Sequence, residues 1–206
     1  MHRYDDGLRA RLRENVSALD RTASSEEGLR HAAVAMTVVG DDEGRACFLL
    51  TRRPVTMRRH AAQWALPGGS LDAGEEAVGA ALRELDEELG LKLGHDAVLG
   101  LLDDYPTRSG YRITPVVVWG PAAPSLAPQP SEVEAVHLVP LAEIDRPDIP
   151  RLIPGEEPDR PVIQVALFGR YVHAPTAAVL YQFVEVGLRG RQTRVAHFDQ
   201  PRFAWR

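Results

Sequence analysis

The chain has 206 residues, 44% apolar and 26% charged, a balance that supports a sizeable buried core and excludes disorder throughout. A formal net charge of −5 and a single cysteine, Cys47, speak against general nucleic-acid binding and exclude an intramolecular disulfide or a multi-cysteine metal site. The first residues lack a basic-then-apolar leader pattern, and no apolar run approaches the roughly 20 residues that span a bilayer, so a cytoplasmic protein without a membrane partner is expected.

Leu8, Leu12, Val16 and Leu19 recur at helical spacing in a charged stretch, which predicts an amphipathic packing helix over about residues 5–22. After a polar break, β-rich runs at 32–39 and 46–51 flank Gly40-Asp41-Asp42-Glu43-Gly44 and read as a hairpin, with Cys47 as buried filler in the second run. Between Arg52 and His60 stand Arg52, Arg53, Arg58, Arg59 and His60 with no acid, either a local anion site or a solvated basic edge. His60 reads as a loop hydrogen-bonder before it reads as a base.

One strong helix is predicted from Glu75 or Glu76 to Leu89, stopped by Gly90. Further strands are expected at about 97–105, 111–119 and 132–139. Eleven of the 16 prolines fall between Pro115 and Pro161, which implies long, stiff connections there. A second helix should begin at Pro175 and run to Leu188, and the tail 198–206 is aromatic enough to dock back onto the body. Strands interrupted by a single strong helix suggest an α+β or sandwich-like fold, not a doubly wound sheet. The expected division is an N-terminal helix and linker at 1–28, a core domain at 29–145, and an extension at 146–206 whose helix packs on the core.

The helix at 75–89 carries the chemistry. With Glu84 at zero and about 100° per residue, Glu87 lies near −60° and Glu88 near +40°, so three carboxylates share an arc beside the apolar face of Val78, Ala81, Leu82, Leu85 and Leu89. Carboxylates so crowded resist joint ionisation unless positive charge sits among them. A hard divalent cation, Mg²⁺ or Mn²⁺, resolves the conflict through all-oxygen ligands. An ordinary solvated acidic face with basic partners is the competing reading, and Arg83 can reach Glu87 one turn on, with Glu75 as a further partner.

Gly69-Ser70-Leu71-Asp72-Ala73-Gly74-Glu75, seven residues, then Arg83-Glu84-Leu85-Asp86-Glu87-Glu88-Leu89-Gly90-Leu91 resembles the Nudix box with every specified position filled. That resemblance implies a Nudix-type α/β/α sandwich with a mixed sheet and a loop–helix–loop catalytic motif. It further implies that Glu84, Glu87 and Glu88 hold the catalytic cations beside Gly68, while Gly69, Glu75, Arg83 and Gly90 are structural. The implied activity is metal-dependent hydrolysis of a phosphoanhydride bond in a small nucleoside diphosphate derivative. A carboxylate must accept the proton of the attacking water, and Glu84 and Glu132 are the candidates. Glu132, in Ser131-Glu132-Val133-Glu134, stands where the family often recruits a glutamate from a loop ahead of a late strand; plain surface charge is its alternative.

Upstream, Leu49-Leu50-Thr51-Arg52-Arg53-Pro54, three residues, Arg58, three residues, Ala62, three residues, and Leu66-Pro67-Gly68-Gly69 is similar to the motif of the coenzyme A pyrophosphatase branch. Pro54, Ala62 and Leu66 depart from it, standing where Ser or Ala, Gly and Phe are usual. The similarity continues through Thr107-Arg108-Ser109-Gly110-Tyr111-Arg112-Ile113-Thr114-Pro115 and Ala174-Pro175-Thr176-Ala177. Coenzyme A or an acyl-CoA is therefore the expected substrate, with Arg53 and Arg58 as phosphate ligands. The alternatives are hydrolysis of ADP-ribose or another nucleoside diphosphate derivative, and a Nudix-fold protein that binds a nucleotide without cleaving it. A homodimer stays open.

Overall fold

The computed structural model of the chain describes residues 1–54 and 63–201; Arg58, His60, Ala62 and the tail beyond 201 lie outside the described residues. The elements are α1 (Asp6–Ser17), β1 (Arg30–Gly40), β2 (Ala46–Arg52), β3 (Trp64–Ala65), β4 (Gly68–Ser70), α2 (Ala77–Leu89), β5 (Val98–Leu101), β6 (Tyr105–Pro106), β7 (Tyr111–Ala122), β8 (Ala135–Pro140), β9 (Arg151–Ile153), β10 (Val162–Leu167), β11 (Arg170–His173) and α3 (Thr176–Phe183). Among the described residues no helix is long and apolar enough to cross a membrane.

β1 is the axis of a mixed sheet. It runs parallel to β7 from the Arg30–Tyr111 pair onward and antiparallel to β2 at Val38–Phe48. Its opening half pairs instead with β4, at Ala32–Ser70 and Ala33–Gly69. β2 and β4 thus occupy one edge of β1 in succession. β3 pairs with the end of β2, at Thr51–Ala65 and Arg52–Trp64, so the segment 64–70 crosses from the edge of β2 to the edge of β1 and fills the fork between them. The other edge of β2 takes β8 along its whole length.

Side chains alternate across this sheet as the period of two requires. Ala33, Ala35 and Val39 of β1, with Leu49, Val116 and Val118, pack against Ala81, Leu85 and Leu89 of α2. On the opposite face Met36, Val38, Phe48, Leu50 and Val117 meet Leu8, Leu12 and Val16 of α1 and Ala177, Leu180 and Phe183 of α3. A strand buried on both faces needs mostly apolar residues, which is why β1 is apolar from Ala32 to Val39 apart from Thr37. The result is an α+β fold layered as an α/β/α sandwich.

Three expectations are corrected. α1, capped by Asp5 accepting from the Leu8 amide at 2.8 Å, ends at Ser17 rather than near residue 22. Beyond it, the amides of Thr22 and Ser24 bond Asp103 at 2.7 Å and Asp104 at 3.0 Å, so that stretch is held by carboxylates instead of helix carbonyls. The same two buried aspartates interrupt the expected strand at 97–105, leaving β5 and β6 as separate pieces. Within the proline-rich stretch and just beyond it, β9, β10 and β11 form a three-stranded antiparallel sheet that no strand expectation covered. Its strands are too short, and its prolines too close, for an alternating pattern to emerge.

Candidate active site

α2 begins after Glu76 and ends on Gly90, whose φ of 65° is left-handed and whose amide bonds the Asp86 carbonyl at 2.8 Å. Glycine suits this position doubly, because a Cβ here would also meet the Ala127 side chain at 3.0 Å. That neighbour belongs to a loop that satisfies the carbonyls α2 leaves open. The Ala127 amide bonds Leu89 O at 2.8 Å and the Gln129 amide bonds Glu88 O at 2.9 Å. The loop then turns, with the amides of Glu132 and Val133 returning to Gln129 O, and Val133 is buried under α2. Docked in this way, the loop brings Glu132 to the helix.

Glu84, Glu88 and Glu132 each offer a carboxylate oxygen within 4.8 Å of the others; the first two are buried and the third is exposed. Burial above all, then the charge of Glu84, pushes the Glu88 carboxyl up to about 8, against the pull of Arg53 and of the Gly68 amide. Glu84 is raised as well, by burial first, although Arg83 donates to it. Three oxygens converging with two of their acids resisting ionisation fit a hard divalent cation, whose charge would remove the conflict.

Glu87 is not brought into this cluster. Arg83 Nη1 donates to Glu87 Oε2 and to Glu84 Oε1, each at 2.9 Å, and the Glu87 side chain stays exposed. Arg83 also grips Glu75, from Nε to Oε1 and from Nη2 to Oε2 at 3.0 Å, and reaches Ser70 O at 3.1 Å. These bonds hold Glu75 below the usual carboxylate range. One guanidinium therefore ties the loop before α2 to two of the acids on the helix.

Gly68 and Gly69 make close approaches that a side chain would block. A Cβ on Gly68 would lie 2.3 Å from Ala33 O, and one on Gly69 would lie 2.2 Å from Glu84 Oε1. Arg53 follows β2 in the described part of the basic segment. Its charge acts on Glu88, and its buried Nε has no hydrogen-bond partner among the described residues. Glu134, by contrast, lies 3.6 Å from Arg52 and outside the carboxylate cluster. The docking of loop 127–133 on α2 had no sequence signal, because it rests on backbone bonds that any residue can make.

Comparison with known proteins agrees with this geometry. The NUDIX domain family matches residues 29–164. A relative from Photorhabdus laumondii named Uncharacterized Nudix hydrolase NudL is 40% identical over 115 residues, covering 55% of this chain and 60% of that protein. The protein of the same name from Escherichia coli strain K12 is 36% identical over 125 residues, covering 60% of this chain and 65% of its own length. The chain therefore spans less than two thirds of these relatives. Among solved structures, a MutT/nudix family protein from Enterococcus faecalis superposes with a TM-score of 0.55 at 16% identity, covering 79% of this chain and 64% of that one, a likeness of fold alone. With the family matched over more than half of its residues, and the matched stretch holding both α2 and the loop of Glu132, this chain belongs to the NUDIX domain family.

Proposed function

We propose that the protein hydrolyses a phosphoanhydride bond in a nucleoside diphosphate linked to another group, with coenzyme A or an acyl-CoA as substrate and 3′,5′-ADP and (acyl-)4′-phosphopantetheine as products. The observation that carries the reaction is the convergence of Glu84, Glu88 and Glu132 within 4.8 Å around two carboxyls that burial has made reluctant to ionise. Glu84 and Glu88, beside Gly68, would hold Mg²⁺ or Mn²⁺, while Glu87, which the family motif also implies as a ligand, is paired with Arg83 outside the cluster. When bound, such a cation supplies positive charge that neutralises the diphosphate and acidifies the attacking water. Arg83 orients Glu84 and Glu87 from the side. Glu132, the exposed member of the cluster, takes the proton of the water, Glu84 being one of the acids that would hold the cation. Arg53, whose buried Nε has no hydrogen-bond partner among the described residues, binds diphosphate oxygens.

The coenzyme A assignment is supported by the motif running from Leu49 to Gly69 and by the two later stretches that resemble the same branch. A screen of CoA, acyl-CoA, ADP-ribose, NADH and dinucleoside polyphosphates with Mg²⁺ and Mn²⁺, with products identified by mass, tests it. The expected result is metal-dependent release of 3′,5′-ADP from CoA. A wide preference for ADP-ribose under matched conditions overturns the substrate. Nucleotide binding without cleavage of any of these compounds overturns the reaction and leaves a non-catalytic binder.

A further inference from the structure

The loop between β7 and β8 carries Glu132 out to the carboxylates of α2, and charge alone would push it away again. Glu132 makes both Glu84 and Glu88 harder to ionise, so the three acids repel one another. Residues 127–132 are all exposed, and side-chain packing holds the loop only at its ends, where Leu126 packs against the apolar layer beneath α2 and Val133 is buried in it. An exposed, acid-bearing loop held in this way swings outward unless its backbone is tied.

The backbone is tied to two elements. The Ala127 amide bonds Leu89 O at 2.8 Å and the Gln129 amide bonds Glu88 O at 2.9 Å, both on the last turn of the helix that carries the acids. The Glu134 amide bonds Arg52 O at 2.8 Å, at the end of β2. Gln129 stands between these ties. Its amide reaches Glu88, and its carbonyl accepts from the amides of Glu132 at 3.0 Å and Val133 at 2.9 Å. Glu88 and Glu132 are therefore joined through the main chain of one residue. The sequence Ala127-Pro128-Gln129-Pro130 suits this arrangement. Residues whose amides are spent on the helix alternate with prolines, which have no N–H to satisfy and whose φ, fixed at about −65°, narrows the states open to an undocked loop.

We propose that Gln129 is a positioning residue whose backbone amide on Glu88 and carbonyl on Glu132 hold the Glu132 carboxylate at the site before substrate binds. This rests on the reading of Glu132 as the proton acceptor, and it adds what fixes the acceptor against the repulsion of Glu84 and Glu88: a proline-framed clasp on the open carbonyls at the end of α2. Gln129 acts through its main chain, its side chain being exposed. A base held in this way needs no closing motion, so loss of the clasp costs rate and not substrate affinity.

The test is a double-mutant cycle on the full chain, read by steady-state hydrolysis of CoA and of ADP-ribose in Mg²⁺ and by calorimetric titration with Mn²⁺. Gln129→Pro deletes the amide that bonds Glu88 O in an exposed loop, so circular dichroism should show an intact fold. Its kcat should fall roughly 10- to 100-fold with KM little changed, and its Mn²⁺ affinity should match wild type because Glu84 and Glu88 are untouched. Gln129→Ala, which keeps both backbone groups, should restore kcat. Added to Glu132→Gln, Gln129→Pro should lower kcat no further, since the carboxylate it positions is gone. Wild-type kcat in a folded Gln129→Pro overturns the proposal, and an equal loss in Gln129→Ala does the same by placing the role on the side chain. Losses that multiply in the double variant overturn it while leaving the proton acceptor in place, and a fall in Mn²⁺ affinity overturns it by moving the effect to Glu88. Wild-type kcat in Glu132→Gln, or cleavage of neither substrate by wild type, overturns the underlying reading and the proposal with it. Should Gln129→Pro lose its fold, Val133→Ala, which weakens the buried anchor beside Glu132, takes its place in the cycle with the same non-additive result expected.

Discussion

A Cβ on Gly69 would stand 2.2 Å from Glu84 Oε1. The carboxylate on α2 is thus seated against bare backbone of β4, and the atom in the way is the far end of a flexible side chain. Gly69→Ala should therefore fold, because Glu84 can swing aside, yet it should lower metal-dependent turnover by roughly 10- to 100-fold through displacement alone. Circular dichroism and the Mg²⁺ dependence of the rate check this. Wild-type turnover in a folded Gly69→Ala removes Glu84 from the metal set.

Glu88 predicts a conflict between stability and activity. Its carboxyl ionises near 4.3 in an unfolded chain and at about 8 in the fold. Between those values the unfolded chain binds fewer protons, so with metal removed by EDTA, stability should fall as pH rises from about 4 to about 8 and then level off. Glu84, raised in the same direction, adds to the trend. Glu88→Gln should flatten the dependence and raise Tm at neutral pH in EDTA, while lowering turnover by roughly 10² to 10⁴. Tm measured against pH for both proteins decides it, and an unchanged profile would mean that Glu88 is not the charge resisted by the fold.

Glu132 and Glu134 are two residues apart and differ in partner. Glu132 joins the acids of α2, whereas Glu134 faces Arg52 at 3.6 Å. Glu132→Gln should depress kcat more than it raises KM, because proton transfer belongs to the transition state. Glu134→Gln should leave both near wild type. Steady-state kinetics that show the reverse order transfer the role to Glu134.

Arg53 acts on Glu88, so its anion is expected beside the metal site. Arg53→Ala should cost about 1.5–3 kcal/mol of charge-assisted bonding, roughly 10- to 100-fold in kcat/KM, equally for CoA and dephospho-CoA. Arg58→Ala, in the same basic segment, should weaken CoA selectively if Arg58 meets the 3′-phosphate. The ratio of the two substrates' kcat/KM values separates these roles; a CoA-selective loss in Arg53→Ala exchanges them.

Local features were legible because their causes are local. The acids of α2 share an arc through helical period, Gly90 ends the helix through its left-handed φ, and Arg83 meets Glu87 one turn away. The hairpin of β1 and β2 followed from two apolar runs around a turn. The family motif added the layered fold, but the expected strand at 97–105 broke because Asp103 and Asp104 are buried against partners 79 to 91 residues away, Gln182, Arg194 and Arg21 among them.

The sequence by itself determined the chemistry that is available: carboxylates at helical spacing, a basic segment before them, and glycines where backbone must come close. Tertiary structure decided which of these groups act together. It drew Glu132 to Glu88 through backbone bonds from Ala127 and Gln129, and left Glu87 in the hands of Arg83. The physical reason is that period and propensity describe neighbours along the chain, whereas these contacts depend on strand pairing and loop docking, whose partners no local pattern names.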